Sequence, residues 1–127
     1  MRTDVHDLPT LRRWSRGRVT LLGDAAHAAT PDLGQGACQA IEDAVVLAAN
    51  LAGDRPLAAA LAGYEKQRRR RTAWVMRESR RAGRLMNVEK PWATRLRDWA
   101  LRLSTTRLAL RPMHKICRHA LPQLAGA

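Results

Sequence analysis

The sequence predicts an α/β fragment that is mostly helical, with one short strand, one loop rich in glycine and three or four helices. Three observations predict this fold class. A short β-branched and apolar run ends at a glycine, a segment punctuated by Gly and Pro follows it, and the rest of the chain repeats apolar residues at helical spacing. A lone strand cannot bury itself as a sheet, so we expect the chain to be the C-terminal part of a larger fold.

Three segments divide the chain. Residues 1–17 form a polar lead-in, residues 18–53 contain the strand, the loop and a first helix, and residues 54–127 form a basic C-terminal helical region. The strand is Arg18–Leu22, which we expect to be buried, and the loop is Asp24–Gly36.

The helices are predicted by their apolar spacing and their end signals. The first runs from Ala37 to a stop at Gly53. The second, Leu57–Met86, is long, and the third is Trp92–Leu103. The tail after Pro112 is expected to add one or two helical turns.

Charge is concentrated in the second half of the chain. Of the 127 residues, 1–63 hold 6 Arg and 7 acids, about −1, whereas 64–127 hold 17 basic residues and 4 acids, about +13. Such asymmetry suits a polyanion or a membrane surface, and equally a basic surface built against an acidic one that is absent here.

Two cysteines, Cys38 and Cys117, give no disulfide framework and fit a reducing compartment. The N-terminus shows no apolar signal region, and no apolar run approaches about 18 residues. We therefore expect a cytoplasmic chain without a transmembrane segment.

The long helix carries two faces. Arg68 and Arg71 interrupt its apolar stripe, and we expect them to face the N-terminal part of the larger fold and to pair with acids there. The stripe itself consists of Leu57, Leu61, Tyr64, Thr72, Val75 and Ala82. A second face, which we interpret as solvated, consists of Lys66, Arg70, Arg77, Arg81 and Arg84.

The loop combines groups that suit one kind of ligand. Asp24 follows a strand end, where open α/β folds bind ligands, and its carboxylate accepts hydrogen bonds from hydroxyl donors such as a polyol. Gly34 and Gly36 lead into a helix whose first amides lack internal partners. These amides favour an anion, or a carbonyl oxygen that gains charge, by about 0.3–2 kcal/mol.

The segment "GRVTLLGDAAHAATPDLGQGACQAIEDAVVLAANL", Gly17–Leu51, resembles the second flavin-binding motif of the FAD-dependent aromatic hydroxylases, single-component flavoprotein monooxygenases of the para-hydroxybenzoate hydroxylase type. The later "YEKQRRRRTAWVMRESRRAG" is similar to the helix that follows in that family. The resemblance implies that the loop is a flavin-binding loop from the FAD-binding fold of such an enzyme.

The resemblance also implies roles for single residues. Asp24 would accept a hydrogen bond from the ribityl chain of FAD, and Pro31 would shape the loop beside the isoalloxazine ring. The amides of Ala37 and Cys38 would face the carbonyl at the pyrimidine end of that ring. The implied cofactor-binding set is Gly23, Asp24, Ala25, Pro31, Gly34, Gln35, Gly36, Ala37 and Cys38. No catalytic residue and no metal ligand is assigned.

Several other polar residues have simpler interpretations. His27 belongs to the motif, and we expect it to pack within the loop. Glu42 and Asp43 lie in the first turns of a helix, where a capping or salt-bridge role is favoured over catalysis. A chance cluster without a second ligand pair is formed by His114, Cys117 and His119.

The family resemblance implies FAD as cofactor, NADH or NADPH as reductant and a small aromatic substrate. The chain contains no GxGxxG for the ADP half of FAD. We therefore expect half a flavin site, inactive alone, with a separate N-terminal half as a candidate partner. The alternative hypothesis is a free-standing basic helical module that binds an acidic partner or nucleic acid. No nucleic-acid-binding motif is present, so nucleic acid is not an expected partner.

Overall fold

A computed structural model describes residues 6–105 and 110–119. In that part of the chain a two-stranded antiparallel hairpin leads into a short helix, a 3-10 helix and four further α-helices. In chain order the elements are β1 (Ser15–Arg16), β2 (Val19–Thr20), α1 (Asp24–His27), the 3-10 helix (Pro31–Leu33), α2 (Gly36–Leu51), α3 (Leu57–Met86), α4 (Pro91–Leu103) and α5 (Arg111–Cys117). None of the described helices is long and apolar enough to cross a membrane.

Helix α3 organises the fold. Its 30 residues extend over about 45 Å, and it packs against α2, α1, the 3-10 helix and β1. Tyr64 on α3 is fully buried, and its hydroxyl donates a hydrogen bond of 3.0 Å to the carbonyl of Leu21. Around it the core is formed by Trp14, Ala26 and Val46. The chain before and after the hairpin is thereby tied to one side of α3.

The strand is the element on which the sequence prediction was wrong. We expected a buried strand over Arg18–Leu22, but β2 covers only Val19–Thr20 and pairs with β1 across Gly17. Val19 is 68% exposed. An apolar β-branched run predicts burial only if other strands flank it, and within the described residues β1 is the one strand that does.

The helices agree closely with the sequence pattern. Helix α3 has the predicted bounds, and α4 begins one residue before its predicted start. Helix α2 ends at Leu51, before Gly53, and it begins at Gly36 rather than at Ala37. The segment interpreted as a loop contains α1 and the 3-10 helix, two single turns that are too short to show a helical period.

The segment before the hairpin is held against the far end of α3. Arg80 pairs with Asp7, and its Nη2 donates to the carbonyl of Leu8 over 2.8 Å. The hydroxyl of Ser79 donates to the carbonyl of Thr30 over 2.8 Å. These contacts fix the chain on both sides of α1 to a single rigid helix.

Helix α4 leaves its apolar face uncovered. The predicted face contains Leu96, Trp99 and Leu103, and Trp99 and Leu103 are 61% and 64% exposed. Ile41, on α2, is 65% exposed. A helix face on which several large apolar side chains are exposed together is typical of an interaction surface.

Candidate functional site

The turn that follows β2 depends on a glycine. Gly23 has φ 60° and ψ −138°, a backbone conformation that residues with a Cβ rarely adopt. A Cβ atom at this position would also lie 3.2 Å from the Cβ of Ala40 on α2. Gly23 therefore lets the chain turn into α1 while the turn stays in contact with α2.

Asp24 and the start of α2 face each other. The Asp24 side chain is exposed, and a Cβ placed on Gly36 would lie 4.0 Å from its Oδ1 atom. No side chain caps the N-terminus of α2, where Ala37 and Cys38 are exposed. A carboxylate that only accepts hydrogen bonds thus lies beside amides that only donate them.

The 3-10 helix directs the chain from α1 into α2. Pro31 opens it, and its carbonyl accepts a 2.9 Å hydrogen bond from the amide of Gly34. Gly34 has φ 62° and ψ 25°, the left-handed conformation that turns the chain towards α2. Gln35 precedes the helix, and its backbone carbonyl accepts a 2.9 Å hydrogen bond from the amide of Gln39. Of the predicted cofactor-binding residues, Pro31 and Ala25 are exposed on these turns.

A buried carboxylate holds the Gly23 turn in place. Asp43 on α2 is 0% exposed, and its Oδ2 atom accepts the amide of Gly23 over 3.0 Å. The same oxygen lies 2.5 Å from Nε2 of His27. Its Oδ1 atom accepts a 2.6 Å hydrogen bond from Nε of Arg68. The Asp43 side chain therefore connects the turn, α1 and α3.

Arg68 and Arg71 on α3 share the neighbouring carboxylate, Glu42. Arg68 is 1% exposed and donates from Nη1 to Glu42 over 2.6 Å, while its Nη2 donates to the Gln39 side chain over 2.9 Å. Arg71 donates to Glu42 from Nε and from Nη2 over 2.6 and 2.7 Å. Two acids and two arginines therefore form one network between α2 and α3.

Both carboxylates of the network are stabilised in their charged form. Burial alone would raise the pKa of Asp43, but hydrogen bonds from His27, Arg68 and the Gly23 amide outweigh it and hold this pKa below its usual value. Burial likewise acts to raise the pKa of Glu42, and the guanidinium groups of Arg71 and Arg68 lower it below its usual value.

This network corrects one sequence prediction and confirms two. We expected Arg68 and Arg71 to pair with acids of the N-terminal part of a larger fold, but they pair with Glu42 and Asp43 of this chain. The salt-bridge role expected for Glu42 and Asp43 is confirmed, and His27 is buried in the loop as expected. The sequence contained a signal for this pairing. Two adjacent acids, Glu42 and Asp43, lie on one predicted helix, and two arginines three residues apart interrupt the apolar stripe of the next.

The residues present fit the flavin that the resemblance implies. A ribityl chain offers hydroxyl donors to the exposed Asp24, and the carbonyl at the pyrimidine end of a flavin accepts hydrogen bonds from amides such as those of Ala37 and Cys38. The 4.0 Å separation between Asp24 Oδ1 and a Cβ built on Gly36 places these two kinds of group side by side.

The remaining polar features lie apart from this site. Within residues 6–105 and 110–119, no group of three or more His, Cys, Asp and Glu side chains could hold a metal ion. The basic face predicted on α3 is exposed to solvent at each of its five positions, Lys66, Arg70, Arg77, Arg81 and Arg84.

A strand–turn–helix unit with an exposed carboxylate beside an uncapped helix start is typical of the cofactor-binding part of an α/β protein. The sequence profile of the family described as "FAD binding domain" matches residues 6–79, more than half of the chain. The chain belongs to this family.

Characterised relatives are FAD-dependent hydroxylases and monooxygenases. The chain is 45% identical over 106 residues to the aurachin C monooxygenase/isomerase of Stigmatella aurantiaca, covering 84% of this chain and 28% of that protein. It is 44% identical over 102 residues to an FAD-dependent urate hydroxylase of Klebsiella pneumoniae, covering 76% of this chain and 27% of the relative.

A solved structure shows the same fold. The crystal structure of Klebsiella pneumoniae HpxO complexed with FAD and uric acid superposes with a TM-score of 0.81 at 39% identity. The match covers 89% of this chain and 29% of that one. The chain therefore spans under a third of the length of the relatives it matches.

The buried network predicts a large cost for removing Arg68. In Arg68→Met the aliphatic stem is kept, but Asp43 and Glu42 lose a buried partner, so the free energy of unfolding should fall by about 3–5 kcal/mol. The matched control is Arg70→Met, which removes an exposed arginine two residues away and should change stability by at most about 0.5 kcal/mol. Urea unfolding followed by circular dichroism measures both. Equal stabilities for the two variants would contradict the assigned role.

The network also predicts a loss of stability in acid. Since the pKa values of Asp43 and Glu42 are lower in the folded protein than in the unfolded chain, the unfolded chain takes up protons first as the pH falls. The stabilisation is therefore complete at neutral pH and decreases once the pH falls below the usual carboxyl range, about pH 4. Urea midpoints measured between neutral pH and about pH 3 test this. A midpoint that does not change across that interval would rule out the network as a source of stability.

Proposed function

We propose that this chain is the flavin-contacting C-terminal part of an FAD-dependent monooxygenase that uses NADH or NADPH to hydroxylate an aromatic or similar small organic substrate. The observation that carries the proposal is the position of the exposed Asp24 carboxylate beside the uncapped start of α2. Relatives that are named as FAD-dependent hydroxylases and monooxygenases support it.

Each side of the site has its own task. Asp24 accepts a hydrogen bond from a ribityl hydroxyl and sets the position of the cofactor along the loop. The amides of Ala37 and Cys38 donate to the pyrimidine-end carbonyl and, with the α2 dipole, favour negative charge at that end. Pro31, exposed on the 3-10 helix, would shape the loop beside the isoalloxazine ring. FAD supplies the oxygen-transfer chemistry when bound.

Buried residues that would not touch the cofactor hold the site in position. Asp43 holds the amide of Gly23, and with it the turn that carries Asp24. Hydrogen bonds from His27 and Arg68 hold the pKa of Asp43 below its usual value although the carboxylate is buried. Asp43 and Arg68 are therefore positioning residues, whereas Asp24 and the amides of Ala37 and Cys38 would contact the cofactor.

The chain alone makes half of a flavin site. It contains no GxGxxG, and it spans 27–29% of three of the proteins to which it is similar. The exposed apolar side chains of Ile41, Trp99 and Leu103 supply surface for burial against the rest of such a fold. The complementary part, with the ADP-binding motif and the substrate pocket, is proposed to lie outside these 127 residues.

A chimera tests the role of Asp24. This chain replaces the matching segment of the urate hydroxylase of Klebsiella pneumoniae, and FAD affinity is measured by flavin fluorescence. Asp24→Ala removes an acceptor of charge-assisted hydrogen bonds, so the dissociation constant should rise at least about tenfold. The matched control is Asp54→Ala, an exposed acid in the turn between α2 and α3, which should change the constant less than about twofold.

The isolated chain supplies the baseline of this experiment. It is expected to lose its FAD during gel filtration, whereas the chimera retains it. Stoichiometric flavin on the isolated chain would show that it is not half of a site. Equal FAD affinity in the two aspartate variants would exclude Asp24 from the site.

A further inference from the structure

Helix α5 is attached to α3 at two points. Ile116 is buried, and its carbonyl accepts Nη2 of Arg71 over 3.0 Å. The Nζ atom of Lys115 lies 4.6 Å from the centroid of the Trp74 ring, within the range of a cation–π contact. These contacts fix the position of the short α5 beside the middle of α3.

A basic cleft, which we name the α3–α5 pocket, lies at this junction. Its volume is about 590 Å³, and the side chains that line it are all of basic type. They are Arg71, Arg111, His114, Lys115, Arg118 and His119. The volume falls within the range of small-molecule sites and exceeds the space that a single inorganic ion needs.

Most of the positive charge in the pocket has no acidic partner among residues 6–105 and 110–119. Arg71 is paired with Glu42. For Arg111, Lys115 and Arg118, no acidic side chain among the described residues lies within salt-bridge distance. Like charges gathered in a concave surface repel one another and focus a positive potential, which an anion relieves.

The side chains favour a particular anion. Guanidinium groups present a planar fork of donors that matches the oxygens of phosphate, and a lysine adds a point charge. Burial, and next the charge of Arg71, hold the pKa of His119 below its usual value, so His119 contributes less positive charge to the pocket than the arginines and Lys115 do. Three cations that pair with no acidic side chain in the described part of the chain match a multiply charged phosphate better than a single carboxylate.

We propose that the α3–α5 pocket binds the phosphate or pyrophosphate group of a small molecule. None of its six side chains belongs to the set proposed to contact FAD, and Arg71 is the one that also takes part in the network with Glu42. The ligand chemistry has two sources, a free inorganic or simple organic phosphate and the phosphates of a nicotinamide dinucleotide.

Titration of the 127-residue chain with inorganic pyrophosphate tests the pocket. Binding is followed by isothermal titration calorimetry at near-physiological salt and is expected to saturate at one ligand per chain. Arg111→Gln combined with Arg118→Gln should weaken binding at least about tenfold, because each change removes a charged donor. The matched control, Arg70→Gln combined with Arg77→Gln, removes the same charge from the exposed face of α3 and should weaken binding less than about twofold.

Two further titrations identify the source of the phosphate. If NADPH binds about tenfold more tightly than NADH, and if this difference requires the pocket arginines, the pocket binds the extra phosphate of NADPH. Pyrophosphate that binds more tightly than both dinucleotides assigns it to a free phosphate compound. Both results support the pocket.

Two results would overturn the proposal. One is an equal loss of pyrophosphate affinity in both double variants, which would show attraction to overall charge only. The other is the absence of saturable binding up to about 10 mM pyrophosphate, because a specific site of this size would bind its ligand more tightly than that. Far-UV circular dichroism confirms that the variants keep their helices, and FAD affinity in the chimera should not change with Arg111→Gln and Arg118→Gln.

Discussion

The pairing of Arg68 with Asp43 and Glu42 is the interaction on which the rest of the structure depends. A guanidinium group that is 1% exposed is tolerable only if its charge is balanced and its donors are used, and here it reaches two carboxylates and Gln39. The pairing fixes the rotation of α3 relative to α2, because the two helices must present these side chains to each other. Apolar packing around Tyr64 adds stability, but by itself it specifies the register of the two helices less strictly.

The same pairing connects packing to the candidate site. Asp43 has two oxygens, of which one is held by α3 and the other by the amide of Gly23 and the ring of His27. A shift of α3 would therefore move the turn that carries Asp24. The helix start opposite Asp24 has no capping side chain, so its amides are available to a ligand. The buried Asp43 thus holds the turn, and the exposed Asp24 on that turn is the acid proposed to contact the cofactor.

The sequence allowed most of the helical structure to be predicted, because helices depend on local spacing and end signals. The bounds of α3 follow from its apolar stripe and from Pro56 before it. The strand was harder to predict, since the burial of Val19 depends on neighbouring strands rather than on its own residues. The partners of Arg68 and Arg71 could not be assigned from spacing within one helix, because the acids lie on another helix 25 to 29 residues away along the chain.

The sequence located the loop of the candidate site, whereas the contact of its residues with a cofactor stays a prediction. The order of Gly23, Asp24, Gly34 and Gly36 indicated a loop that approaches a ligand closely, and the structure places Asp24 beside the helix start. The hydrogen bond from the Gly23 amide to Asp43 could not be predicted from the motif, since a carboxylate at the start of a helix is most simply interpreted as favouring the helix dipole. Its contact with Gly23 appears only when α2 is folded back onto the turn.

Hydrogen exchange of single amides tests most directly whether Asp43 holds the turn while the start of α2 stays free. In the protein without ligand, the Gly23 amide should exchange at least about a hundredfold more slowly than in an unstructured chain, because a buried carboxylate accepts it. The Ala37 amide, in the uncapped first turn of α2, should exchange at close to the unstructured rate. Fast exchange at both positions would contradict the account, since the turn would then not be held by Asp43.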